Sequence, residues 1–153
     1  QWHAAAQKKK CGARSKFTDK LRKVIEEKLK ATWSPEQIVG TSIQHRPKEV
    51  KTRETFGHWE LDTGISARGT KGCIATFAKR KTRFYVGIQI PNRSAQSMKW
   101  AIEQLISRYP RQCFQTFTTN RGKEFSCYAD IEKQYGIPIY FADSYAPWQR
   151  GTN

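Results

Sequence analysis

The chain has 153 residues, enough for one ordinary domain, or for a compact domain of roughly 100 residues with a short appendage. Its 28 Lys and Arg outnumber 13 Asp and Glu, giving a net charge of +15, while 12% aromatic residues argue against disorder. No run of about 18 apolar residues occurs, so no membrane span is expected, and the charge makes nucleic acid the first partner to test. The excess is spread along the chain, with 14 basic and 6 acidic side chains in residues 1–56 and 14 and 7 in residues 57–153. Cys11, Cys73, Cys113 and Cys127 have no paired CxxC spacing, which predicts reduced structural thiols in a cytoplasmic protein. The first residue is Gln1, so the start is read as a fragment or an altered frame.

Residues 1–16 are polar and basic without hydrophobic period and read as a mobile arm. From Thr18, Leu21, Val24, Ile25 and Leu29 fall at helical spacing, and "WSPEQIVG" supplies Ser34 as N-cap, Pro35 at the first helical position and Gly40 as stop. Two short helices over 17–44 are half of a helix-turn-helix reader, or a plain helical hairpin. Residues 45–56 read as a polar linker. The rest, 57–153, becomes strand-like: alternating "GHWELDTGI" (57–65) puts Trp59 and Leu61 on one face and Glu60 and Asp62 on the other.

"CIATFA" (73–78) and "RFYVGIQI" (83–90) extend this to an antiparallel meander, with "KRKT" at the hairpin tip. Met98, Ala101, Ile102, Leu105 and Ile106 then mark one face of a helix ended by Pro110. Strands over 113–119 and 137–143 flank a short helix stopped by Gly136, and "SYAPWQRGTN" opens a further helix. Because the late crossovers require parallel pairing, the expected fold is α/β: a three-strand antiparallel meander plus two parallel strands, with flanking helices and a short helical N-terminal appendage. That order resembles a ribonuclease-H-like sheet.

Phosphoryl transfer on a nucleic-acid backbone commonly uses two divalent ions about 4 Å apart, held by carboxylates that converge from different elements. Asp62 in the first strand and the residue ending the fourth strand become neighbours if those strands pair. Position 120 is that strand end and holds an amide, Asn120. By itself Asp62 reads equally as a polar strand residue facing solvent.

"RPKEVKTRETFGHWELDTG", "KRKTRF", "TTNRGKEF" and "YFADSYAPWQRGTN" together resemble the catalytic core of IS-thirty-type insertion-sequence transposases, an integrase-like group, across residues 46–153. "KKKCGARSKF" and "TDKLRKVIEEKLKATWSPEQIVG" resemble the start of that family's DNA-binding region. The resemblance implies cut-and-join chemistry on element ends, with Mg²⁺ held by an Asp, Asp, Glu triad. It also shows three departures. The family's Asp-Asn-Gly-x-Glu-Phe stands here as Asn120, Arg121, Gly122, Lys123, Glu124, Phe125; the third carboxylate would follow the stretch matching "PWQRGTN"; and between "SPEQIVG" and "RPKEV" only "TSIQH" remains of a longer segment.

Asp62 is then the one charged metal ligand, Mg²⁺ binding is expected to be weak or lost, and no significant transposition is expected. Glu60 and Glu124 match family glutamates and are assigned supporting roles. Asp143 is a further acid near the strand ends. Lys79, Arg80, Lys81 and Arg83 at the hairpin tip suit phosphate contact. Arg121 and Lys123 flank the site, Arg121 being placed to grip phosphate or to pair with Asp62. Trp148 and Arg150 join the nucleic-acid set, although Trp148 reads more readily as a lid on the core. His3, His45 and His58 lack ligand spacing and are assigned no chemistry.

The expected partner is DNA, as element ends or non-specific duplex, with a homo-oligomer or full-length transposase as possible company. The expected function is therefore that of a transposase-derived DNA-binding protein of recombination and integration. Its rivals are an active transposase completed by another chain or extension, and a repurposed inhibitor of a full-length transposase.

Overall fold

The structure, a computed structural model, describes residues 40–65, 72–143 and 146–151, together with the isolated helical positions Asp19 and Lys23. The chain divides into two compact units, Gln1–Trp33 and Ser34–Asn153, and the sheet lies in the second. The expected basic arm and the Ser34 N-cap lie outside the described residues, as does the helix from Thr18 apart from Asp19 and Lys23, both helical.

Five strands form one mixed sheet in the order β3-β2-β1-β4-β5, comprising β1 (His58–Ile65), β2 (Cys73–Lys79), β3 (Tyr85–Ile90), β4 (Thr116–Thr119) and β5 (Ile139–Phe141). β1 pairs antiparallel with β2 and parallel with β4, and β4 pairs parallel with β5. The meander followed by parallel strands is the architecture expected from the order of elements. β1 lies at the centre, where both neighbours satisfy its backbone, so the residues it displays are held rigidly.

Helix α1 (Lys48–Thr52) precedes the sheet, α2 (Ala95–Arg108) follows β3, and α3 (Tyr128–Tyr135) links β4 to β5. α2 starts at Ser94, whose hydroxyl accepts the Ser97 N–H at 3.2 Å, and buries Met98, Ala101, Ile102 and Leu105. These are the apolar positions its period marks, save Ile106, which is only partly buried. They pack on the sheet face carrying Trp59, Leu61, Ala75 and Phe77. Trp59 is fully buried, stacks on Phe114 with centroids 5.5 Å apart, and donates its indole N–H to the Cys113 carbonyl at 2.9 Å.

Several boundaries move inward for local reasons. β3 starts at Tyr85, not Arg83, because Arg83 takes a left-handed φ of 60° that no strand accommodates, and the turn is closed by Lys79 N–H on the Phe84 carbonyl at 2.8 Å. β4 starts at Thr116 because Arg111–Cys113 forms a 3₁₀ turn after Pro110. β5 is short because the Ile139 N–H is taken by Glu132 Oε1 at 2.7 Å. Gly136 does end α3, in the left-handed conformation that glycine tolerates at a helix C-terminus. The helix expected after Asp143 is one 3₁₀ turn among the described residues, Pro147–Gln149.

Residues 45–56, read from sequence as a polar linker, contain α1 and bury Val50 completely. Just before them the chain runs beside β5, with Phe141 N–H donating to the Thr41 carbonyl at 2.9 Å. Cys73 and Cys127 are buried free thiols, and burial pushes the Cys127 thiol up to about 12. No helix among the described residues is long and apolar enough to cross a membrane.

Candidate metal and nucleic-acid site

The parallel register sets Glu60 beside Thr118, so Glu60, Asp62, Thr118 and Asn120 share the sheet face opposite α2. Asn120 follows the last residue of β4 and reaches Asp62 directly, its Nδ2 donating to Asp62 Oδ1 at 3.3 Å. The pairing of positions 62 and 120 expected from the sequence is therefore present. The Asn120 amide is oriented by its other end, whose Oδ1 accepts the Gly122 N–H at 2.8 Å.

Asp62 is surrounded by donors. Oδ1 also accepts the Thr63 N–H at 2.8 Å, and Oδ2 accepts Arg150 Nη1 at 2.6 Å in an ion pair. The cation at Asp62 is thus Arg150 and not Arg121, whose guanidinium lies over the Phe141 ring at 5.6 Å. Arg150 belongs to the segment after β5.

These residues do not fit a hard divalent ion. Oδ1 faces two N–H donors, Oδ2 faces a guanidinium, and the amide at 120 turns its nitrogen, not its oxygen, toward Asp62. A metal would have to displace all of them with one anionic ligand in hand. Among the described residues no group of three or more His, Cys, Asp or Glu side chains converges as a metal site.

The supporting glutamates are held elsewhere. Glu60 is fully buried and pairs with Arg80, while Glu124, also fully buried, accepts Arg93 Nε at 2.7 Å and Thr63 Oγ1 at 2.9 Å. Gly122 must be small, because a Cβ there would sit 2.5 Å from Glu124 Oε2. Asp143 forms a reciprocal pair with Gln149, at 2.8 and 2.9 Å, and these bonds with help from Gln44 hold its carboxyl below the usual range.

Of the hairpin cations, Arg80 is not at the surface. It is 3% exposed, pairs with Glu60, and donates to the Val50 carbonyl at 3.0 Å and to the Arg150 carbonyl. A side chain so enclosed cannot touch phosphate, and the reading of Arg80 as a nucleic-acid contact is corrected accordingly. Lys79 leans over the Trp59 ring at 4.9 Å, and Lys81 over Phe56 at 3.9 Å. Lys81, Arg83 and Lys123 are exposed, and Arg121 is half-buried. Trp148 is no lid on the core: it is 76% exposed.

A basic surface escaped the sequence reading. Arg46, Lys48, Lys51 and Arg53 come from the segment taken as linker and line a groove of about 510 Å³ together with Trp148 and Arg150. Arg46 donates to Thr118 Oγ1 at 3.1 Å and Arg53 to the Gly151 carbonyl at 2.7 Å. The available signal was "RPKEVKTR", whose four cations surround one buried valine at helical spacing.

The chain is 32% identical over 140 residues to a Streptococcus salivarius protein described as a "probable transposase for insertion-like sequence element IS1161". That alignment covers 90% of this chain and 39% of the relative. It is also 32% identical over 117 residues to the InsI transposase of insertion sequence element IS30A of Escherichia coli (strain K12), covering 76% of this chain and 30% of that protein. The chain therefore spans about a third to two fifths of these relatives' length. No protein-family model matches it. Among solved structures, the catalytic core domain of BIV integrase superposes with a TM-score of 0.53 at 21% identity, over 64% of this chain and 62% of that one. This likeness shows the fold, a ribonuclease-H-like sheet of the integrase-core type.

Proposed function

Since the chain is similar over most of its length to IS30-type insertion-sequence transposases and has the fold of an integrase catalytic core, we propose that it serves DNA recombination as a DNA-binding core without its own metal-dependent strand chemistry. The observation that carries this reading is the set of donors on Asp62. Arg150 supplies the positive charge that a divalent ion would supply, and Asn120 supplies an N–H where a second carboxylate would offer charge. Losing anionic ligands lowers affinity for a hard cation, and each tenfold loss of rate is about 1.4 kcal/mol of barrier. The remaining function is then DNA attachment through exposed cations such as Lys81, Arg83 and Lys123, in the company of DNA alone or of a full-length transposase.

The test pairs a metal titration with a binding assay. Mg²⁺ or Mn²⁺ up to millimolar concentration should leave the thermal midpoint unchanged, whereas saturable sub-millimolar binding lost in Asp62→Ala would overturn the metal-free reading. Gel shift should show salt-labile binding of duplex DNA and no nicking with Mg²⁺. A preference for element ends would favour an inhibitor of the full-length enzyme, and metal-dependent nicking would favour an active transposase.

A further inference from the structure

The groove between α1 and the loop after β5 is rich in cations. Arg46, Lys48, Lys51 and Arg53 with their neighbours form one wall and residues 148–151 the other; Glu49 of the same segment does not line the groove, and no Asp or Glu is among the described residues that do. Its volume of about 510 Å³ falls within the roughly 300–1,000 Å³ of small-molecule sites. The walls are tied together by Arg53 on the Gly151 carbonyl at 2.7 Å and by Arg80 on the Arg150 carbonyl.

Its cations divide into two sets. Arg80 and Arg150 are neutralised by Glu60 and Asp62 on the sheet. Arg46, Lys48, Lys51 and Arg53 form no ion pair with a carboxylate among the described residues, so their charges face the groove without acidic compensation. The resulting repulsion is felt at Arg80, which burial first, then Arg46, Arg53 and Arg83, hold down to about 10. An anion in the groove would relieve it. On the rim stands Trp148, the most exposed large apolar side chain among the described residues at 76%, presenting an indole to solvent beside those cations.

We propose that this groove seats an unpaired nucleotide of a DNA strand, with its base stacked on Trp148 and its flanking phosphates held by Lys48, Lys51 and Arg53. Aromatic platforms next to a cationic track are the arrangement by which proteins hold single strands, because every base has a stacking face. Within a duplex both faces of a base are already stacked, so Trp148 engages a strand end, an overhang or a splayed base. Duplex contact needs phosphate alone and is served by the hairpin cations. The proposal rests on the DNA-binding reading and adds to it a strand-state preference.

The experiment measures binding of fluorescently labelled oligothymidine and of a blunt duplex by anisotropy, in parallel, at two salt concentrations. The Trp148→Ala variant should lower the ratio of single-strand to duplex affinity about tenfold, since stacking contributes about 1–3 kcal/mol per base, while Trp148→Phe keeps most of it. An oligonucleotide of abasic sugar-phosphate should bind wild type and Trp148→Ala alike. The double variant Lys48→Gln, Lys51→Gln should weaken single-strand binding and make its salt dependence shallower. An unchanged ratio in Trp148→Ala overturns the proposal, as does competition by ATP or tripolyphosphate as effective as that of the strand, which would mark a free-anion pocket. If wild type binds neither oligonucleotide, the DNA-binding reading itself fails, and that result is distinct from intact duplex binding with an unchanged ratio. Thermal melts of each variant confirm folding, which the exposure of Trp148 and both lysines leaves undisturbed.

Discussion

At the level of single residues, the sheet face opposite α2 is organised by polar groups that need one another. Asp62 accepts from Thr63, Asn120 and Arg150, so protein donors compensate its charge. His58, at the start of the same strand, is 3% exposed and holds two hydroxyls, Thr116 through Nδ1 and Thr55 through Nε2, each at 2.8 Å. Burial lowers its pKa below the usual 6.5; Glu49 opposes the shift, and Arg80 and Arg46 add to it. The folded state thus binds a proton at His58 less readily than the unfolded chain. Its contribution is complete above about pH 6.5 and declines as pH falls through that value toward the folded pKa. The thermal midpoint should drop between pH 7 and pH 5, and His58→Gln should flatten that portion of the profile. Asp143, whose pKa is lowered from 3.8, acts in a separate window, below about pH 4.

Among elements, Arg80 is the chief connector. It stands just after β2, pairs with Glu60 on β1, caps the Val50 carbonyl of α1 and holds the Arg150 carbonyl of the final loop. Replacing Arg80 by Met takes the guanidinium away from the fully buried Glu60, a change that costs about 3–5 kcal/mol when a buried pair is broken on one side. Urea denaturation of Arg80→Met should show a loss of that size. The double variant Glu60→Leu, Arg80→Met should recover most of it, because the cost lies in burying the carboxylate without the Arg80 charge and not in the lost attraction. The same variant should loosen α1 and the Trp148 loop, since both hang on this guanidinium.

Over the whole molecule, the net charge of +15 sets a condition of its own. Like charges in a compact body repel, and the groove concentrates six cations from residues 46–53, 80 and 150. Raising NaCl from low to moderate concentration should therefore raise the thermal midpoint by a few degrees, and heparin at equimolar amounts should raise it further by binding the folded state. A midpoint that falls steadily with salt would show that attractive ion pairs, not repulsion, dominate the balance.

The sequence by itself determined the layer order, because alternating and helical periods are local properties of the chain. Trp59 and Leu61 on one face, the α2 stripe and the stop at Gly136 follow from spacing alone. It also put positions 62 and 120 together on the condition that β1 and β4 pair, as the integrase-like resemblance implies. Only the tertiary structure decided which cation sits on Asp62, that Arg80 is buried, that Trp148 is exposed, and that the segment 45–56 carries a helix with Val50 buried. Each of these depends on contacts between residues some 30 to 90 positions apart, such as Arg80 with Val50 and Arg150 with Asp62. A charged or aromatic side chain reads the same in sequence whether it ends against a carboxylate or in water, and the partner that decides lies in a different element.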